Sequence, residues 1–133
     1  MSTIVVGFID SPEGQAALTR AVEEATLRNA RLVIVHSERG GQTLDMVTAA
    51  HYDQHLTKVS DELLAKGLDV EVRTLVRGHD AASDLLLIVD EEQADLVVIG
   101  LRRRSPVGKL VLGSNSQQIL LDAKCPVLAV KAD

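Results

Sequence analysis

The stretch that decides the fold runs Leu96-Val97-Val98-Ile99, then Gly100-Leu101-Arg102-Arg103-Arg104-Ser105-Pro106-Val107-Gly108-Lys109-Leu110-Val111-Leu112-Gly113, then Ser114-Asn115-Ser116-Gln117. It is a short apolar run, a basic segment bounded by glycines, and a helix start. The apolar run does not alternate with polar residues, which marks a strand covered on both faces, as in a parallel sheet. Ile4-Val5-Val6-Gly7-Phe8-Ile9 and Arg31-Leu32-Val33-Ile34-Val35-His36 have the same character. Val70-Glu71-Val72-Arg73-Thr74-Leu75 alternates, which predicts a wetter face or a sheet edge. Val127-Leu128-Ala129-Val130 is the last strand, with Pro126 at its entrance, where a missing N–H is tolerated.

Longer amphipathic segments lie between these runs. Ser11 as N-cap and Pro12 at the first helical position open the first helix, and Leu18, Ala21, Val22 and Ala25 form its i, i+3, i+4, i+7 stripe. The second helix is expected from about Thr43 to Lys66, burying Leu56, Val59 and Leu63 and ending at Gly67. The third, capped near Asp80, buries Ala82, Leu85, Leu86 and Val89. The fourth begins at Ser114, where Ser114-Asn115-Ser116-Gln117 fits a capping box, and buries Ile119, Leu120 and Ala123. The order βαβαβαβαβ predicts one domain over residues 1–133, with a parallel sheet, right-handed crossovers and helices on both faces. Ligands in such sheets sit at the carboxyl ends of the strands, at the switch point. That rule selects the segments after Ile9, His36 and Ile99.

Composition narrows the function classes. The chain has 133 residues, 46% apolar and 25% charged, and one domain of that length buries a sizeable core. Only 2% of residues are aromatic, so the core is built from aliphatic side chains and stacking platforms for single-stranded nucleic acid are not expected. The net charge of −5 disfavours duplex binding. One cysteine, Cys125, excludes an internal disulfide and a thiolate zinc cage. No apolar run approaches the eighteen or so residues of a membrane span, and the N-terminus lacks a secretory pattern. A cytoplasmic location is therefore expected, with no membrane and no nucleic-acid partner.

The segment after Ile99 carries the chemistry. The N–H groups of Asn115, Ser116 and Gln117 lie at the positive end of a helix dipole and suit a phosphate, and the hydroxyls of Ser114 and Ser116 add donors. Arg102, Arg103, Arg104 and Lys109 place cations beside them in an otherwise acidic chain. Gly100 and Gly113 let the chain turn and let a ligand approach the backbone. Singly, each feature also suits an ordinary strand end, cap or solvated loop. Their combination at one strand end favours a polyphosphate cradle.

On these residues the chain resembles the universal stress protein family. Members carry a glycine, two residues, a second glycine, nine residues, then Gly-Ser or Gly-Thr. Here Gly100 takes the first position and Gly113-Ser114 the last. The likeness extends over the whole chain, through Val6-Gly7 with Ser11-Pro12-Glu13, Val33-Ile34-Val35-His36, Arg77-Gly78 with Asp80, Ala94 to Gly100, and Cys125 to Val130. The resemblance implies an adenine nucleotide alpha hydrolase-like fold with strand order 3-2-1-4-5, and homodimers formed through the last strand. It also implies regulatory binding of ATP in a stress response, in many members with a divalent ion such as Mg²⁺. The implied nucleotide-binding positions are Ile9, Asp10, His36 and Ser37 at the adenosine end, and Ile99, Gly100, Arg102, Arg103, Gly113, Ser114, Asn115 and Ser116 around the phosphates. Two positions depart from the pattern. Arg103 replaces the second glycine, and either strains the loop or pairs with phosphate through its guanidinium. Ile9 falls where members commonly have an aspartate, and Asp10 either substitutes from the next position or the contact is absent. The alternative is a nucleotide-independent dimeric adaptor of the same fold.

Other chemistry finds little support. His51 and His55 are spaced i, i+4, but no third ligand and no HExxH pattern accompany them, so a surface pair is expected. Cys125 reads as a small hydrophobe, and His79 as part of a helix cap. There is no G-x-S-x-G elbow, no G-x-x-x-x-G-K-[ST] loop and no G-x-G-x-x-G after the first strand. No aspartate ends the third strand, as a phosphoacceptor receiver domain needs. With no general base beside the phosphate segment, at most slow ATP hydrolysis is expected.

Overall fold

The computed structural model describes residues 2–9, 11–39, 46–77, 81–101 and 114–132; side chains at 37–39, 46–53, 75–77 and 114 fall outside that description. The elements are β1 (Thr3–Phe8), α1 (Pro12–Arg28), β2 (Arg31–Arg39), α2 (Met46–Ala65), β3 (Val70–Arg77), α3 (Ala81–Glu91), β4 (Leu96–Leu101), α4 (Ser114–Asp122) and β5 (Val127–Lys131). All strand pairs are parallel, in the order β3-β2-β1-β4-β5. The unalternating runs are the three inner strands. The alternating run, β3, is an edge, as its wetter pattern predicts.

Each inner strand sends alternate side chains to two cores. Ile4, Val6, Phe8, Leu32 and Ile34 pack with Leu18, Ala21 and Ala25 of α1 and Leu56 and Leu63 of α2. Val5, Val33, Val35, Val97 and Ile99 pack with Ala82, Leu85, Ile88 and Val89 of α3 and Ile119 of α4. Full burial of such aliphatic side chains contributes about 1.5–3 kcal/mol each. The chain's one phenylalanine, Phe8, is 1% exposed and is the largest fully buried side chain among the described residues. Leu120, expected on the buried face of its helix, is instead 39% exposed, because α4 turns Ile119 to the sheet.

Helix ends follow the local chemistry. Ser11 caps α1, its Oγ accepting from the Gly14 N–H at 3.0 Å. Gly67, at φ +89°, closes α2, with its own N–H and that of Leu68 donating to the carbonyls of Leu64 and Leu63. At the amino end of the sheet Arg31 donates to Glu92 at 2.7 Å and Glu71 at 2.6 Å, tying β2 to β3 and to the end of α3. Those hydrogen bonds, led by the one to Glu92, raise the Arg31 pKa above its ordinary value.

The end of α3 uses the same closure with a poorer residue. Gln93 takes φ 50°, its N–H donating to Asp90 and that of Ala94 to Val89. A side chain in the left-handed region costs about 1–2 kcal/mol that glycine avoids. Gln93→Gly is therefore expected to raise stability by roughly 0.5–1 kcal/mol in urea unfolding. A loss of stability would contradict this account of the turn.

Candidate functional site

Strand order changes direction between β1 and β4, since β2 and β3 lie to one side and β4 and β5 to the other. At the carboxyl ends of these two strands is a cavity of about 130 Å³. Among the described residues it is lined by Gly7, Phe8 and Ile9 at the end of β1, Val35 of β2, Ile99 and Gly100 of β4, Ala81, Ala82 and Leu85 of α3, and Asn115, Ser116 and Ile119 of α4. The amino ends of α3 and α4 both open on it, and their dipoles favour an anion there. Asn115 and Ser116 stand in the first turn of α4, where backbone N–H groups lack partners within the helix.

Two close approaches shape this end of the molecule. A Cβ on Gly100 would strike the Glu13 carbonyl, and one on Gly14 would strike the Ile9 carbonyl. The first turn of α1 is thus pressed onto the ends of β1 and β4. Gly100 is not among the described glycines with positive φ. Helix packing thus requires glycine here. Ile9 is held by the same contact, and its carbonyl accepts from the Ser11 N–H at 2.9 Å. Its side chain stays 45% exposed. Gly7 leaves room for α3, since an added Cβ would lie 3.0 Å from Leu85 Cδ2.

Of the residues singled out from sequence, Ile9, Ile99, Gly100, Asn115 and Ser116 meet in this cavity. Ser114 opens α4 and Ser37 lies within β2 opposite Leu75, and neither side chain is among the described ones. Asp10, Arg102, Arg103, Arg104, Lys109 and Gly113 lie outside the described residues, as does His79. His36 does not line the cavity. It shares its face of β2 with Ile34, opposite to Val35, and its ring centroid stands 6.0 Å from that of Phe8. Strand alternation therefore gives the cavity Val35, and gives His36 to the α1–α2 side. The α3 contribution escapes sequence inspection because Ala82 and Leu85 read as core. The signals were the small pair Ala81-Ala82 at a helix start and a glycine inside an apolar strand.

Among the described residues no group of three metal-ligating side chains gathers, and no helix is long and apolar enough to cross a membrane. His55 is exposed, with its ring 6.1 Å from Phe8. Cys125 is partly buried, and that burial pushes its thiol above the ordinary range, which keeps thiolate scarce near neutrality.

This is an α/β fold with a small apolar cavity at its switch point, faced by two helix amino ends. Comparison with known proteins narrows the class to one family. The profile of the Universal stress protein family matches residues 1–131, and the chain belongs to that family. A universal stress protein of Mycolicibacterium smegmatis is 41% identical over 128 residues, covering 96% of each chain. Among solved structures, a universal stress protein from Archaeoglobus fulgidus superposes with TM-score 0.81 at 33% identity, over 98% of this chain and 99% of that one. The universal stress protein from the same organism in complex with dAMP gives TM-score 0.76 at 29% identity, over 98% of both chains. A universal stress protein in complex with cAMP gives 0.74 at 28%, over 99% of this chain and 98% of that one.

Since a Cβ on Gly100 would strike the Glu13 carbonyl, Gly100→Ala is expected to lower the stability of the nucleotide-free protein by roughly 1–3 kcal/mol. That corresponds to a fall of several degrees in Tm for a chain of this length. An unchanged melting curve would show that α1 yields freely.

Proposed function

We propose that this universal stress protein is a regulatory module that binds an adenine nucleotide at the switch-point cavity and acts as a homodimer in a stress response. The observation that carries the reading is the cavity itself, an apolar recess opening directly onto the amino end of α4. A base fits the apolar part, and the amides and side chains of Asn115 and Ser116 suit a phosphate. The spacing of Gly100 from Gly113-Ser114, and the arginines between them, favour ATP, with Mg²⁺ accompanying its phosphates. Arg102 and Arg103 would neutralise phosphate charge. The structures of relatives with dAMP and cAMP support an adenine nucleotide as the ligand class. Nucleotide binding would stabilise the end of β4 and the start of α4, and so alter a surface that a partner reads. The parallel edge strand β5, half-buried along most of its length, is the surface proposed for pairing with a second copy. A cytoplasmic location is proposed with it.

A second reading is a nucleotide-independent dimeric adaptor. The size of the cavity favours it, since about 130 Å³ is below the roughly 300–1,000 Å³ of ordinary ligand pockets. Ile9 also offers the ligand no polar group from its side chain.

Ser116→Asp separates binding from folding. A carboxylate in the first turn of α4 favours the helix by about 0.3–1 kcal/mol, yet repels a phosphate at the same place. Calorimetry with ATP and Mg²⁺ is expected to show saturable heat for the parent protein, and affinity at least about tenfold lower for the variant, with its Tm held or raised. No heat and no thermal shift at millimolar ATP would discard the nucleotide reading in favour of the adaptor. Light scattering is expected to give the mass of a dimer, and a monomer at high concentration would remove pairing through β5.

A further inference from the structure

We infer that Leu85 sets the depth of the base end of the recess, and that it makes the site reject adenine nucleotides enlarged on the edge of the base that points inward. The inference rests on the adenine-nucleotide reading above and deepens it. With phosphate at Asn115 and Ser116 in the first turn of α4, the base falls to the part of the recess walled by β1, β2 and α3. Leu85 stands there, on the helix that lies across β2 and β1. It is 5% exposed, and it belongs at once to the recess wall and to the core of that face, with Val35, Ala82 and Ile99.

Gly7 explains how far this leucine reaches. A Cβ added to Gly7 would lie 3.0 Å from Leu85 Cδ2, 3.7 Å from Cδ1 and 3.9 Å from Cγ, so the isobutyl group occupies the room that the missing side chain leaves. Ala81 and Ala82, the other described α3 residues of the wall, end at Cβ and leave the depth to Leu85. The core around Leu85 is closed, since Val35, Ile88 and Val89 of the same cluster are all buried. A core packed to that density does not make room for inserted carbon atoms cheaply. A group carried inward on the base therefore meets a wall that holds its place. Truncating Leu85 to alanine opens the recess toward the Gly7 backbone. Apolar pockets separate ligands that differ by one methylene by about tenfold or more.

Calorimetry of the purified full chain, with Mg²⁺ and either ATP or ATP alkylated at the N6, C2 or C8 position of adenine, tests this. The three analogues cover the edges of the base, so the inward edge need not be known beforehand. The parent protein is expected to bind at least one of them about tenfold or more weakly than ATP. In Leu85→Ala, shown folded by circular dichroism, that same gap is expected to close to within about threefold. Leu85→Val is the milder truncation should alanine not fold, and is expected to narrow the gap by about threefold. Leu85→Met, which conserves volume, is expected to keep it. Adding Gly7→Ala to Leu85→Ala returns a methyl to the vacated room and is expected to widen the gap again. Equal affinity of the parent for ATP and all three analogues overturns the inference while leaving the nucleotide site intact. A gap that persists in the truncated variants overturns the assignment to Leu85. Absence of ATP binding by the parent protein overturns the site reading itself, and the inference with it.

Discussion

The contact between the first turn of α1 and the ends of β1 and β4 is the constraint from which the functional end of this molecule is built. Two glycines permit it. Gly100 lies under the Glu13 carbonyl, and Gly14 lies over the Ile9 carbonyl. No larger residue fits either place without moving backbone. With α1 seated, the two strand ends are held side by side, and Ile9 is turned out beside the recess. The cavity is thus a consequence of close packing beneath it, and packed interiors do not deform cheaply.

The two ends of the sheet are chemically different. At the amino edge Arg31 gathers Glu71 and Glu92, and charge is neutralised locally. At the carboxyl edge the amino ends of α3 and α4 face the recess, and its described lining residues include no acidic side chain. An acidic protein thereby keeps one place suited to a small anion. The basic segment following β4 lies next to that place in sequence.

Much of the fold was legible because the strands are buried on both faces. Ile4 to Phe8, Leu32 to Val35 and Leu96 to Ile99 are apolar without interruption, as strands covered on both faces require. Ser11-Pro12 and Gly67 marked helix ends through side-chain capping and left-handed backbone, both local effects. The site was legible only in part. Asn115, Ser116, Gly100 and Ile9 could be placed, because the topology rule puts ligands at strand ends. The face of His36 could not be fixed until its neighbours Phe8 and Ile34 fixed the strand's rotation. Ala81, Ala82 and Leu85 were legible as helix and core, but not as cavity wall, because that role depends on how α3 lies across β1. The reason for Gly100 was hidden for the same cause, since Glu13 is distant in sequence and meets it only in the folded chain.

The central claim is that the recess between β1, β4, α3 and α4 receives an adenine nucleotide with its phosphate at the start of α4. A titration of ¹⁵N-labelled protein with ATP, followed through its backbone amide resonances, tests this most directly. The amides of Gly7, Gly100, Asn115 and Ser116 should shift together and saturate, while those of Asn29 and Gly67 at the other end of the sheet stay in place. Shifts confined to residues remote from the recess, or none at millimolar ATP, would contradict the account.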